Sequence, residues 1–325
     1  MENRRHYIGV DLGGTKIASA LVDDTLQALR SVRLATQAEE GADAVMDRIV
    51  GSVLSLAEQT PGGISGVCAI GIGAPGPLNH EAGIVDDAPN LRWRNVPVTR
   101  ILSERLGRPV YLENDANAAA LAENRMGAGR GTRHMMYVTV STGIGSGLVL
   151  NGKVFHGATG GAGELGHTTM LADGPMCGCG NRGCLEALAS GTAIARRGRE
   201  VARRAVGSRL LRAADGDLSA IDAALIARVA SEGDPAACAI LKSAFEYLGT
   251  AIANVVNMLN LEMVVIGGGV AQVGDILFDT VRQTVALRAF SFMAKEAPIV
   301  PASLGADVGV YGAACYAMEK HGEKS

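Results

Sequence analysis

Two stretches of this chain, 130 positions apart, carry the same design: YIGVDLGGTKIASALVD from residue 7 and YVTVSTGIGSGLVL from residue 137. Each reads as an apolar strand, a glycine turn and a second apolar strand. Aligned, Asp11 meets Ser141 and Gly13 meets Gly143. A chain of 325 residues is long for a single core. A repeated β-turn-β opening therefore predicts two lobes, each starting with the same device. No Pro/Ser-rich linker separates them, so the lobes are expected to pack directly on one another.

The rest of the chain alternates strand and helix patterns, which places it in the α/β class. Strands are expected at 31–36, 66–77, 109–115 and 263–271. Residues 41–58 have helical periodicity, with Ala44, Val45, Ile49, Val53, Leu56 and Ala57 near one face. Further helices are expected at 100–107, after 115, at 191–205, 218–230 and 234–259, and finally at 304–319. The basic run 195–204 reads as a solvated helix face, and the apolar stretch 244–261 as core. Hydrophobic residues make up 48% of the chain and charged residues 19%, enough to fill a core and too ordered a mixture for disorder. The net charge of −3 argues against nucleic-acid partners. There is no signal-peptide pattern and no uninterrupted apolar run of about 18 residues. The expected setting is a reducing cytoplasm, with no membrane partner, where thiols are free or metal-bound.

That expectation bears on HTTMLADGPMCGCGNRGCLE, residues 167–186. Cys177, Cys179 and Cys184 crowd a turn loosened by Gly178, Gly180 and Gly183, with His167 ten positions upstream. Disulfide geometry is restrictive. A shared tetrahedral ion suits the spacing better, and thiolates select zinc. With His167 the set is Cys3His, which fills the shell and makes the metal structural. Cys68, Cys238 and Cys315 stand alone in apolar context and read as small core residues.

Glycine accounts for 43 residues, nearly twice the usual ~7%. Three glycine turns follow apolar strands: Asp11-x-Gly13-Gly14-Thr15-Lys16, Ser141-Thr142-Gly143, and Gly267-Gly268-Gly269. Such turns expose N–H groups to anionic oxygens, and three of them point to a nucleotide. None is a P-loop or a full dinucleotide fingerprint. Asp11, at a strand end, suits Mg²⁺. Glu113-Asn114-Asp115 ends a strand where a helix begins. Capping is the simpler role for Asn114 or Asp115; the functional one is Asp115 as general base, with Asn114 holding the same substrate. Glu164 and Glu186 flank the cysteine loop, and carboxylates there suit a hydroxyl-rich ligand.

These residues resemble the ROK family of sugar kinases and repressors over nearly the whole length. The zinc signature G-H-x9-C-x-C-G-x2-G-C-x-E is matched from Gly166-His167 through Cys184 and Glu186, D-x-G-G-T-K at 11–16, and E-N-D-A-N-A-A-A at 113–120. The resemblance implies an actin-like ATPase (ribonuclease H-like) fold, two lobes around a cleft, with 1–113 plus 308–325 forming one lobe and 114–307 the other. It implies Asp115 as the base, and Gly76, Asn90, Asn114, Glu164, His167 and Glu186 around the sugar, His167 also binding zinc. Gly14, Thr15, Lys16, Thr142 and Gly143 would hold phosphates, and Gly267 to Gly269 the adenosine side. Ser141 and Ser146 stand where the family often has glycine. Only ten residues precede Asp11, so the DNA-binding module of family repressors is not expected.

The expected activity is ATP-dependent phosphorylation of a hexose at O6, glucose favoured through Glu164, with ATP, Mg²⁺ and structural Zn²⁺. N-acetylmannosamine, N-acetylglucosamine, fructose or allose are alternative substrates. A non-catalytic sugar-sensing regulator is the alternative from another class, and an actin-like filament or chaperone ATPase a third. A homo-oligomer, dimer or tetramer, is expected from the resemblance.

Overall fold

The computed structural model describes residues 5–205 and 207–324. The first four residues and Ser325, which the expected first-lobe range includes, lie outside the described residues. The chain opens with the hairpin β1 (His6–Leu12) and β2 (Lys16–Asp23), then β3 (Ala28–Ala35), α1 (Ala42–Ala57) and β4 (Val67–Ala74). Three short strands follow, β5 (Leu78–Asn79), β6 (Ile84–Ala88) and β7 (Trp93–Val96), then α2 (Val98–Leu106), β8 (Val110–Asn114) and α3 (Asp115–Arg125). The second half starts with β9 (Met135–Val140), β10 (Ile144–Leu150) and β11 (Lys153–Val154). Helices α4 (Leu185–Ala189), α5 (Gly191–Arg204), α6 (Arg209–Ala213), α7 (Ala223–Ser231) and α8 (Pro235–Leu259) come next. The chain closes with β12 (Met263–Gly267), α9 (Asp275–Arg288), α10 (Ser291–Glu296), β13 (Ile299–Pro301) and α11 (Val308–Lys324).

Two five-stranded sheets result, ordered β3-β2-β1-β4-β8 and β11-β10-β9-β12-β13. The second repeats the first: an antiparallel hairpin plus edge strand, then two strands parallel to the first. Each sheet has its own core. Ile8, Val10, Ile49, Val53, Ile70 and Leu112 belong to one, and Val138, Phe245, Leu248, Ile252 and Val264 to the other. This is the actin-like ATPase fold. The parallel register aligns strand ends on one edge of each sheet: Asp11 faces Gly73, Ala74 faces Asn114, and Thr139 faces Gly267. Open α/β sheets place ligands at that carboxyl edge.

Helices α3 and α11 lie between the sheets. Helix α11 packs on β1, β2, β4 and β8, α3 packs on β9 and β10, and the two helices pack on each other. Helix α3 forms because an alanine-rich run follows a cap: Asn114 Oδ1 accepts from the N–H of Ala116 at 2.9 Å and of Asn117 at 3.2 Å. Helix α8 has Asp234 as its cap, Pro235 in the first turn and left-handed Asn260 at its end. It is long and apolar enough to cross a membrane by composition, but Ile240, Leu241, Phe245, Leu248, Ile252 and Val256 bury it in the second core.

Several elements depart from expectation. The helix foreseen at 218–230 is broken: a 3-10 turn at Leu218–Ala220 precedes α7, because the Asp222 side chain accepts from the N–H of Leu225 at 2.7 Å and restarts the helix. The last helix begins at Val308, after a 3-10 turn at Gly305–Asp307. On α1, Met46 and Ser52 join the buried face, while Ala44 is half-buried. Of the lone cysteines only Cys315 is buried; Cys68 and Cys238 are half-buried. The sheet β5-β6-β7 and α9, α10 and β13 were not foreseen; strands of two to five residues are too short for an alternating pattern to register.

Candidate active site

The floor of the site is the end of β8. Asp115 opens α3, and its Oδ1 accepts from the N–H of Ala116 at 2.7 Å. The side chain is accessible, yet protein surrounds it on most sides, as at the bottom of a cleft. Loss of hydration is the main reason its pKa is pushed up to about 6; the Ala116 N–H pulls against this, and the charges of Asp11 and Glu164 push with it. Three acidic residues foreseen from sequence thus share one field. Asp11 is half-buried at the end of β1, against the first turn of α11: a Cβ on Gly309 would come within 2.7 Å of its Cγ. Burial raises its pKa, Lys16 opposes this, and Asp307 adds to it.

The first glycine turn is closed by Gly13 N–H on the Lys16 carbonyl at 3.0 Å. Buried Thr36 staples it, donating from Oγ1 to the Gly13 carbonyl at 2.6 Å and from N–H to that of Thr15 at 2.9 Å. Thr15 and Lys16 are exposed. Gly14 rests on the 3-10 turn Pro89–Leu91: a Cβ there would lie 2.8 Å from the Cβ of Asn90. Gly76 likewise neighbours Asn114, whose Nδ2 would be 3.4 Å from an added Cβ. Since Asn114 Oδ1 caps α3, its amide Nδ2 is the end left to face a substrate.

The second turn is held differently. The Ser141 N–H donates to the Gly143 carbonyl at 2.9 Å, and the Ser141 and Thr142 carbonyls accept from Gly191 N–H and Thr192 Oγ1, each at 2.8 Å, at the start of α5. Glu186 Oε2 accepts from the N–H of Ile144 at 3.0 Å, and a Cβ on Gly143 would sit 2.4 Å from that oxygen. So Glu186 braces the turn as well as flanking the cysteines. Ser146, one of the two departures from the family pattern, is buried and donates to the Gly163 carbonyl, tying β10 to the loop that carries Glu164.

The thiol cluster assembles as expected. The donor atoms of His167, Cys177, Cys179 and Cys184 all lie within 4.8 Å of one another. Cys177 Sγ is 3.7 Å from His167 Nδ1, and Cys179 Sγ is 3.7 Å from Cys184 Sγ. A sulfur pair at that distance is not a disulfide. It is close to the edge, about 3.8 Å, of a tetrahedron with ~2.3 Å zinc–sulfur bonds. The donor set and spacing fit zinc. Because Nδ1 faces the thiols, the Nε2 end of His167 points away from them. The loop is pinned by backbone bonds from Cys177 to Asn181 and from Gly183 to Pro175, both 2.8 Å. Gly180 and Gly183 take the left-handed φ of +89° and +66°, which glycine alone adopts freely; Gly178 does not.

Beside the second and third turns opens a cavity of about 440 Å³, lined by Ser141, Thr142, Thr192, Arg199, Asp222 and Gly269 among others. Arg199 and Asp222 were not singled out from sequence. Arg199 belongs to the basic run read as a solvated face, yet its Nε is buried without a hydrogen-bond partner among the described residues. Gly269 borders this cavity, and Gly267 to Gly269 line a second, of about 400 Å³.

Three comparisons bear on this arrangement. The ROK family model matches residues 7–320. The chain is 39% identical over 318 residues to a glucokinase of Thermotoga maritima, covering 97% of this chain and 98% of that one. Among solved structures, the ROK hexokinase from Thermus thermophilus superposes with a TM-score of 0.82 at 37% identity, covering 98% of this chain and 99% of that one. The ROK glucokinase from Streptomyces griseus, solved in complex with glucose and AMPPNP, also gives 0.82, at 34% identity and 97% and 99% coverage. With the family model spanning residues 7–320 and a relative 39% identical over nearly the full length of both chains, the chain belongs to the ROK family.

Proposed function

We propose that the protein is an ATP-dependent glucokinase, with Asp115 as the general base that takes the proton of the sugar 6-hydroxyl. The observation that carries this is Asp115 itself: an accessible carboxylate at the start of a helix, with pKa raised to about 6 by loss of hydration and by the charges of Asp11 and Glu164. A base must be ionised at working pH and still basic enough to accept a proton, and a value near 6 meets both needs. As the hydroxyl oxygen attacks the γ-phosphorus of ATP, its proton passes to Asp115 and ADP leaves. Asn114 Nδ2, Glu164, Glu186 and the Nε2 end of His167, with Gly76 and Asn90, are assigned to the sugar hydroxyls. Gly13, Gly14, Thr15, Lys16, Thr142 and Gly143 are assigned to the phosphates, and Gly267 to Gly269 to the adenosine, with Arg199 and Asp222 across the cavity.

Asp11 offers the hard oxygen that Mg²⁺ takes; burial raises its pKa, and a bound divalent cation would favour its charged form. When bound, Mg²⁺ neutralises charge on the phosphates. Zinc on His167, Cys177, Cys179 and Cys184 would hold Glu186 and His167 in place. Closure of the lobes 1–113 plus 308–325 and 114–307 would exclude water, which otherwise competes with the sugar. Six free thiols, three in a zinc-fitting set, support a cytoplasmic setting. Exposed Met258, Leu287, Phe290 and Phe292, gathered where α8 and α9 end, support self-association as a dimer or tetramer.

The test is coupled ADP release on a panel of hexoses. Glucose should give the highest kcat/KM. Preference for an N-acetylated hexosamine, fructose or allose would reassign the substrate, and release with none would favour a sugar-sensing regulator.

A further inference from the structure

A hydrogen-bonded pair, a buried carboxylate and a half-buried imidazole, joins the two halves of the molecule and has no part in the chemistry above. Glu113 is the last residue but one of β8, next to Asn114 and two residues before Asp115, and is fully buried. Its Oε2 lies 2.6 Å from Nε2 of His156, which follows β11 in the second half. Its Oε1 accepts from the N–H of Asn114 at 2.8 Å and from Nδ2 of Asn117 at 3.1 Å. His156 also stacks on His80, with centroids 3.9 Å apart and ring planes 12° from parallel. His80 stands in the turn between β5 and β6, in the first half.

Beyond His156 the chain runs through residues 157–163 into Glu164. That loop rests on the first half: a Cβ at Gly160 would lie 3.4 Å from His80 Nδ1 and 3.6 Å from the Leu78 carbonyl oxygen. Its far end is tied to β10 by Ser146. A carboxylate with no exposed surface costs stability unless it is fully hydrogen-bonded, and apolar residues of the same size would pack as well. What such a pair supplies is a fixed distance. Here one carboxylate holds the backbone of Asn114 with one oxygen and the root of the Glu164 loop with the other.

The geometry points to Glu113 and His156 as a positioning pair for the transfer, setting the strand end that bears Asn114 and Asp115 against the loop that bears Glu164, with His80 pressing on the ring. This rests on the kinase reading for its catalytic readout. The experiment compares the full-length native protein with His156→Ala and His156→Gln, whose amide Nε2 reaches where the imidazole Nε2 stands. Circular dichroism checks the fold, steady-state kinetics give kcat and KM for glucose and ATP, and calorimetry gives glucose affinity.

The alanine variant should lose on the order of tenfold to hundredfold in kcat/KM for glucose, since small misplacements of reacting groups cost that much. Its KM for ATP should stay within about twofold, and glutamine should restore most of the loss. A folded alanine variant within about twofold of native in both glucose kinetics and glucose affinity overturns the proposal, as does glutamine no better than alanine. Should the alanine variant not fold, His156→Asn, whose amide falls short of Glu113, replaces it in the same comparison. If the native chain binds glucose but transfers nothing, the kinase reading fails alone, and the affinities of the variants still decide the pair. A native chain that neither binds nor phosphorylates a hexose overturns both.

Discussion

Asp115 is wet on one side only, and its acid–base character follows from that. Desolvation by both halves, with Asp11 and Glu164 adding to it, raises its pKa to about 6. The base works as the carboxylate, so protonation stops it, and a raised pKa brings the loss to higher pH than for an ordinary aspartate. We expect kcat/KM for glucose to fall about tenfold per pH unit below roughly pH 6 and to level off above it. A profile flat down to pH 5 would contradict the assignment. The placement of Asp115 was legible, because Glu113-Asn114-Asp115 sits where an apolar strand meets an alanine-rich helix. Both readings of Asn114 turned out compatible, since its oxygen caps the helix and its amide nitrogen does not. Arg199 and Asp222 were not legible. They come from helices α5 and the start of α7, and nothing local in a basic helix or a capping aspartate tells that the chain folds them onto one cavity. Thr36 and Glu113 were likewise invisible, because their partners are non-local or backbone groups.

Part of the excess of glycine is explained by the close approach of elements rather than by turns. Helix α11 lies so close to β1 and β4 that a Cβ on Gly9 would be 2.0 Å from the Val310 carbonyl oxygen and one on Gly71 1.8 Å from that of Ala313. Helices α3 and α11 touch through Gly312, where a Cβ would be 1.9 Å from the Ala118 carbonyl oxygen. Gly312→Ala must push the two helices apart, at a cost of about 1–3 kcal/mol or more. Gly51, mid-way along α1, has nothing within 4 Å of an added Cβ. Gly51→Ala should instead stabilise by about 0.5–1 kcal/mol, since alanine is the better helix former. Thermal or urea denaturation of the pair checks both signs. Long helices such as α1 and α8 were readable from their apolar spacing. The break before α7 was not, because the Asp222 cap interrupts a pattern that is otherwise continuous.

At the scale of the whole molecule, the two repeated stretches foresaw only that each half opens with the same device; they are the hairpins β1–β2 and β9–β10 of two sheets of the same order. The rest of the repeat could not be read, because β11 and β13 are two and three residues long against eight and five for their counterparts β3 and β8. Glu186 joins the Cys3His knot to the second glycine turn, accepting from the Cys177 thiol with one oxygen and from the Ile144 N–H with the other. We expect elemental analysis to find one zinc per chain, and Cys179→Ala or chelation to lower melting temperature and activity together. Zinc-free protein of full activity would separate the knot from the site. The most direct test of the account is Asp115→Asn in full-length protein, with glucose-dependent ADP release and glucose binding measured side by side. The account predicts a loss of turnover of at least about 10²-fold, with glucose still bound. Turnover near the native rate would show that the proton of the sugar hydroxyl goes elsewhere.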